Sequence, residues 1–121
     1  MRVILQAGYR SEQLGGQVQA TRATMGFTPC GRTPVDCRVA YVFYDRLEEL
    51  SRASKVPLGR MLGLAIAHEI GHMLLPQPSH SPEGIMRPSL ELERSILPIF
   101  TAAQADTIRA RLDQRRYGSD R

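Results

Sequence analysis

Hydrophobic residues fall along the chain in blocks whose spacing predicts strands first and helices later. Arg2–Gln6 (RVILQ) is a short run rich in β-branched residues and predicts a strand. Arg38–Tyr44 (RVAYVFY) predicts the clearest strand, β-branched and aromatic with no Gly or Pro. Between them Gly15-Gly16 marks a turn, Gly26, Pro29, Gly31 and Pro34 mark a loop, and Val18–Thr24 is a further strand candidate. From Asp45 the period becomes helical. Asp45 with Glu48 fits a capping box, and Leu47, Leu50 and Ala53 are expected on one buried face. Val56-Pro57 interrupts this helix, because the residue before a proline is pushed to extended geometry, and Pro57 suits the first turn of the next one. That next helix runs from Pro57 to Leu75 (PLGRMLGLAIAHEIGHMLL), apolar nearly all round, which predicts a central buried helix ended by Pro76. Residues 76–90 form a proline-rich loop. A last helix starts near Thr101, where Thr101 and Gln104 fit a capping box and Ala105, Ile108 and Leu112 make the buried stripe.

A length of 121 residues fits a single domain spanning 1–121, with no internal repeat and no linker. No apolar stretch approaches the roughly 20 residues of a membrane span. Met1–Gln6 is too short for the apolar region of a signal peptide, so a secreted or periplasmic location would require a processed form. The formal charge of +4 comes largely from arginines near the C-terminus (Arg109, Arg111, Arg115, Arg116, Arg121). These read as a solvated helix face, and no nucleic-acid partner is expected. Cys30 and Cys37 enclose a Gly- and Pro-containing loop that could close a disulfide in an oxidising compartment or carry two free thiols. Their spacing is longer than that of a short Cys-based zinc site.

The chemistry concentrates elsewhere. All three histidines lie between His68 and His80, and two of them form His68-Glu69-Ile70-Gly71-His72, an HExxH motif. On a helix, positions i and i+4 share a face, so both imidazoles can point at one ion. Glu69 is rotated off the ligand line, near enough to reach water at that ion but not aligned as a third helix ligand. Two histidines and a glutamate inside an apolar helix are costly to bury uncompensated, and a metal ion would compensate all three. A third ligand must come from beyond the helix. His80 follows His72 by eight residues, and Pro76 stops the helix so that the chain can turn back. Glu83 is the main rival, and Glu91 and Glu93 lie further on.

The stretch HEIGHMLLPQPSHSPEGIM resembles the active-site segment of the metzincin zinc peptidases, which carry HExxHxxGxxH followed by a turn containing methionine. The matching positions are His68, Glu69, His72 and His80, with Gly84-Ile85-Met86 as the methionine turn. A group of small bacterial metallopeptidases with HExGHxLL, SHS and GIM is more similar still. It matches at Gly71, Leu74, Leu75, Ser79, Ser81 and, before the helix, Ala40–Arg46 (AYVFYDR). The resemblance covers residues 39–90. The chain departs from the metzincin pattern in the eight-residue step to His80, in Leu75 at the helix-exit glycine, and in Arg87 where some members have a tyrosine.

The resemblance implies a minimal zincin-like α+β domain, a small twisted sheet packed on a long active-site helix with a C-terminal helix closing one side. It implies Zn²⁺ on His68, His72 and His80, Met86 as a hydrophobic base beneath the metal, and Glu69 as the base that takes a proton from zinc-activated water. The expected activity is that of a zinc metalloendopeptidase acting on a peptide or protein laid along a sheet edge, for which Ala23–Phe27 is the candidate. Such domains usually have an earlier strand and backing helix. An N-terminally truncated form would leave apolar surface for a partner or a second copy to cover, as in a homodimer. Met86 could equally serve as plain core filling. Alternative readings are a metal-dependent hydrolase of a non-protein substrate, a non-catalytic metal-stabilised binding domain, and a basic nucleic-acid-binding module.

Overall fold

Val39–Phe43, strand β3, sits at the centre of a three-stranded sheet in the computed structural model, which describes residues 1–6, 25–29, 38–76, 78–88 and 98–118. Its composition suits that place: Ala40, Val42 and Phe43 are fully buried. Strand β1 (Arg2–Gln6) runs parallel to β3, with Arg2 opposite Val39 and Gln6 opposite Phe43. Strand β2 (Gly26–Phe27) pairs antiparallel on the other side, Gly26 opposite Val42 and Phe27 opposite Tyr41. The order is β1-β3-β2. The expected strand 38–44 loses both ends, because Arg38 lies before the ladder and Tyr44 already begins a helix.

Helix α1 (Tyr44–Ser54) starts one residue before the expected cap. Phe43 is the N-cap without a side-chain hydrogen bond, so the Asp45–Glu48 capping box does not form. Asp45 lies instead within the first turn, where its charge favours the positive end of the helix dipole. Leu47 is buried and Leu50 packs beside it, but Ala53 is exposed. Steps of three residues drift by about 60° around a helix, so Ala53 has left the face of Leu47, while Ser54 returns to it.

Helix α2 (Leu58–Leu74) begins after Pro57, whose carbonyl accepts the Met61 N–H at 3.1 Å. Met61 and Ala65 pack with Val42 and Leu47, and Met73 packs with Ala40, so α2 lies along β3. Burial is heaviest toward its C-terminal end. Gly59, Arg60 and Gly63 are exposed, a departure from the expected all-round burial, because α1 and the sheet cover only one side there.

Helix α3 (Ala102–Gly118) carries the capping box expected from its sequence: Thr101 N–H donates to Gln104 Oε1 at 2.9 Å, and Gln104 N–H to Thr101 Oγ1 at 3.2 Å. Ile108 packs against the cluster of Leu75, Ile85 and Met86. Leu112, one turn on, is 45% exposed and not part of the buried stripe, because that cluster extends along α3 only as far as Ile108. Together these elements make a small α+β fold. No helix among the described residues is long and apolar enough to cross a membrane. Val18–Thr24, the Cys30–Cys37 pair, Ala23, Glu91 and Glu93 lie outside the described residues.

Candidate metal centre

The i, i+4 spacing on α2 brings His68 Nε2 and His72 Nε2 to 3.2 Å. Past the helix, Leu75 is extended (φ −99°, ψ 146°) with its N–H on the Gly71 carbonyl, which is the geometry that the following proline demands. The chain then turns back and sets the His80 ring 5.4 Å from His68 and 4.7 Å from His72, centroid to centroid. One ligand atom from each of the three residues lies within 4.8 Å of the others, so the group can hold a metal ion. The helix pair is largely enclosed and His80 is exposed, which leaves the loop ligand on the solvent side. Glu83 is exposed and outside this group.

On the helix pair the ring nitrogens facing away from the centre are occupied. His68 Nδ1 is 2.6 Å from the Ile85 carbonyl, which can only accept, so Nδ1 carries the proton and Nε2 keeps its lone pair. His72 Nδ1 meets Ser79 Oγ at 2.5 Å. With Nδ1–H donating to the hydroxyl, two Nε2 lone pairs face each other at 3.2 Å. That separation fits the edge of a tetrahedron with nitrogen ligands about 2.0–2.1 Å from zinc. A shared proton could join this pair too, with Ser79 donating to His72 Nδ1, but it would give no role to a third ring in the same group.

Burial first, and then the neighbouring rings, lowers the His72 pKa from 6.5 to about 4. Burial likewise lowers His68, against the opposing pull of the Ile85 carbonyl. Both are held neutral, the form that binds metal. Glu69, 5% exposed on the adjoining face of α2, is pushed up to about 7 by burial, partly offset by Thr28. Thr28 Oγ1 donates to Glu69 Oε1 at 2.8 Å. Gly26 lets β2 approach this carboxylate: a Cβ there would lie 2.8 Å from the Tyr41 carbonyl and 3.0 Å from Glu69 Cγ.

The segment after His80 closes the far side. Gly84 has φ +78°, the left-handed region that favours glycine, and the Arg87 N–H returns to its carbonyl at 3.3 Å. Within this turn Ile85 supplies the carbonyl that orients His68, and Met86 is fully buried against Gly71. A Cβ at Gly71 would collide with Met86 Sδ, so this glycine lets the turn seat directly on α2. Sequence reasoning missed the parts played by Thr28, Gly26, Ser79 and the Ile85 carbonyl. Ser79 stood in a noted motif, whereas nothing local marked Thr28. Comparison with protein-family models, curated proteins and solved structures finds no match to this chain.

Proposed function

We propose that the chain is a zinc-dependent metallopeptidase with a zincin-like, metzincin-type site, in which His68, His72 and His80 hold the metal and Glu69 is the catalytic base. One observation carries the reading: an exposed loop histidine is returned to within 4.8 Å of a partly buried i, i+4 pair whose helix also carries the buried Glu69. Nitrogen donors in a tetrahedral arrangement suit zinc, which when bound supplies Lewis-acid chemistry and lowers the pKa of water. Glu69, raised to about 7 by burial in the metal-free protein, would be drawn back toward its charged form by a bound cation, and as a carboxylate it takes a proton from the attacking water and returns it to the leaving amine. Thr28 engages Oε1, which leaves Oε2 for that transfer. Among the described residues β2 is hydrogen-bonded to β3 on one side and to no strand on the other, and a substrate peptide added along that edge would pass beside Glu69.

Elemental analysis of the purified protein and of His68→Ala, His72→Ala and His80→Ala tests the metal site. Near-stoichiometric zinc in the wild type, lost in each variant, is expected. Peptide cleavage that chelator and Glu69→Ala both abolish tests the activity. A wild type that takes up no zinc after reconstitution overturns the proposal. Zinc bound without peptide hydrolysis would favour a metal-stabilised binding domain or a different hydrolase.

A further inference from the structure

We infer that Ser81 and Gln104 are positioning residues for the third ligand: through one hydrogen bond, α3 holds the loop that carries His80 over the helix pair. The inference rests on the metal-centre reading and is independent of peptide hydrolysis. His68 and His72 are fixed by α2 and by hydrogen bonds at Nδ1. His80 has neither support: it is exposed, lies outside regular secondary structure, and its ring has no hydrogen bond among the described residues. Its place is therefore set by its neighbours. Ser79, before it, is tied to His72.

Ser81, after it, is tied three ways. Its N–H donates to the Met86 carbonyl at 3.0 Å, its hydroxyl donates to the Glu83 carbonyl at 2.8 Å, and Gln104 Nε2 donates to its Oγ at 2.9 Å. The first two bonds close the loop on itself. Only the third of these anchors Ser81 to a helix. Gln104 serves both ends of its amide: Oε1 accepts the Thr101 N–H that caps α3, which leaves Nε2 for Ser81. The capping box thus sets the orientation of the amide that holds Ser81, and Ile85 N–H on the Ile99 carbonyl at 2.9 Å ties the turn to the same approach to α3.

Two substitutions separate holding the loop from capping the helix. Gln104→Glu keeps an acceptor for Thr101 but loses the donor to Ser81, and Ser81→Ala removes the acceptor while leaving the cap intact. Zinc dissociation constants from competition with a chromophoric chelator, and visible spectra of the cobalt-loaded proteins, would be measured for the wild type and both variants, each also with His80→Ala. Zinc binding about tenfold weaker in each variant is expected, together with an altered cobalt spectrum. Neither variant should weaken binding further once His80 is gone. Unchanged affinity and spectrum would overturn the inference, as would an equal loss with and without His80, which would indicate general loosening of the fold. A wild type that binds no zinc overturns the metal centre and this inference together, whereas normal wild-type binding with unaffected variants overturns the inference alone.

Discussion

Thr28 Oγ1 stands 2.8 Å from Glu69 Oε1 and 3.2 Å from the Glu69 carbonyl oxygen, which joins the end of β2 to the helix that carries the histidines. A hydroxyl has one proton to donate, and the shorter contact goes to the carboxylate. That bond favours the charged form of Glu69 and opposes the burial that raises its pKa. Thr28→Val should therefore push Glu69 further up and move the acid limb of the pH–rate profile to higher pH. At neutral pH kcat/KM should fall about tenfold, a fraction of the roughly 10²–10⁴ that a positioned base contributes. Thr28→Ser should restore most of it. A profile that does not move in Thr28→Val would remove Thr28 from the site.

What could be read from the sequence, and what could not, divides along chain distance. α2 was legible because its limits are local, a proline at each end and apolar residues between. The α3 cap was legible because Thr101 and Gln104 are three residues apart. The three histidines that the sequence singled out do come together, since two share a helix face and the third follows a forced helix exit. Thr28 reaches Glu69 across 41 residues from beside a two-residue strand, too short to show a period. The Asp45 cap failed for the opposite reason. Local chemistry favoured it, but β3 runs straight into α1, and Phe43 and Tyr44 take the first positions.

Gly71 and Met86 form one packed unit, and a substitution at the glycine should show it. An alanine Cβ would meet Met86 Sδ and come within 3.1 Å of Phe100 Cε1. Alanine favours a helix by about 1 kcal/mol over glycine, but overpacking costs about 1–3 kcal/mol, so the net effect should be a loss. Urea denaturation should show a lower midpoint for Gly71→Ala. Combined with Met86→Ala, the loss should be smaller than the sum of the single losses, because shortening the methionine frees the space. Strict additivity would show that the two residues do not press on each other.

Glu69 and His72 pull the stability of the metal-free protein in opposite directions. Glu69 titrates near 7 folded against 4.5 unfolded, so its contribution is complete below pH 4.5 and is lost as pH rises to 7. His72 titrates near 4 folded against 6.5 unfolded, so its contribution is complete above pH 6.5 and is lost as pH falls to 4. Glu69→Gln removes only the first of these limbs. In the presence of chelator the variant should gain up to about 3 kcal/mol on the wild type between pH 4.5 and pH 8. Urea unfolding at the two pH values checks this, and a difference that stays constant would mean that Glu69 is not held neutral by the fold.

His68 and His80 should separate ligand loss from damage to the fold. His80 is exposed and its ring has no hydrogen bond among the described residues, so His80→Ala should leave metal-free stability within about 0.5 kcal/mol. His68→Ala removes the ring that donates to the Ile85 carbonyl, at a residue only 4% exposed, and should cost about 1–3 kcal/mol. Zinc at a hundred times its dissociation constant should stabilise the wild type by about 2.7 kcal/mol, a rise of several degrees in Tm. Both substitutions should abolish most of that rise, although only His68→Ala lowers the starting point. A zinc-dependent rise that survives in His80→Ala would place the third ligand elsewhere, and Glu83→Ala would be the next variant to melt.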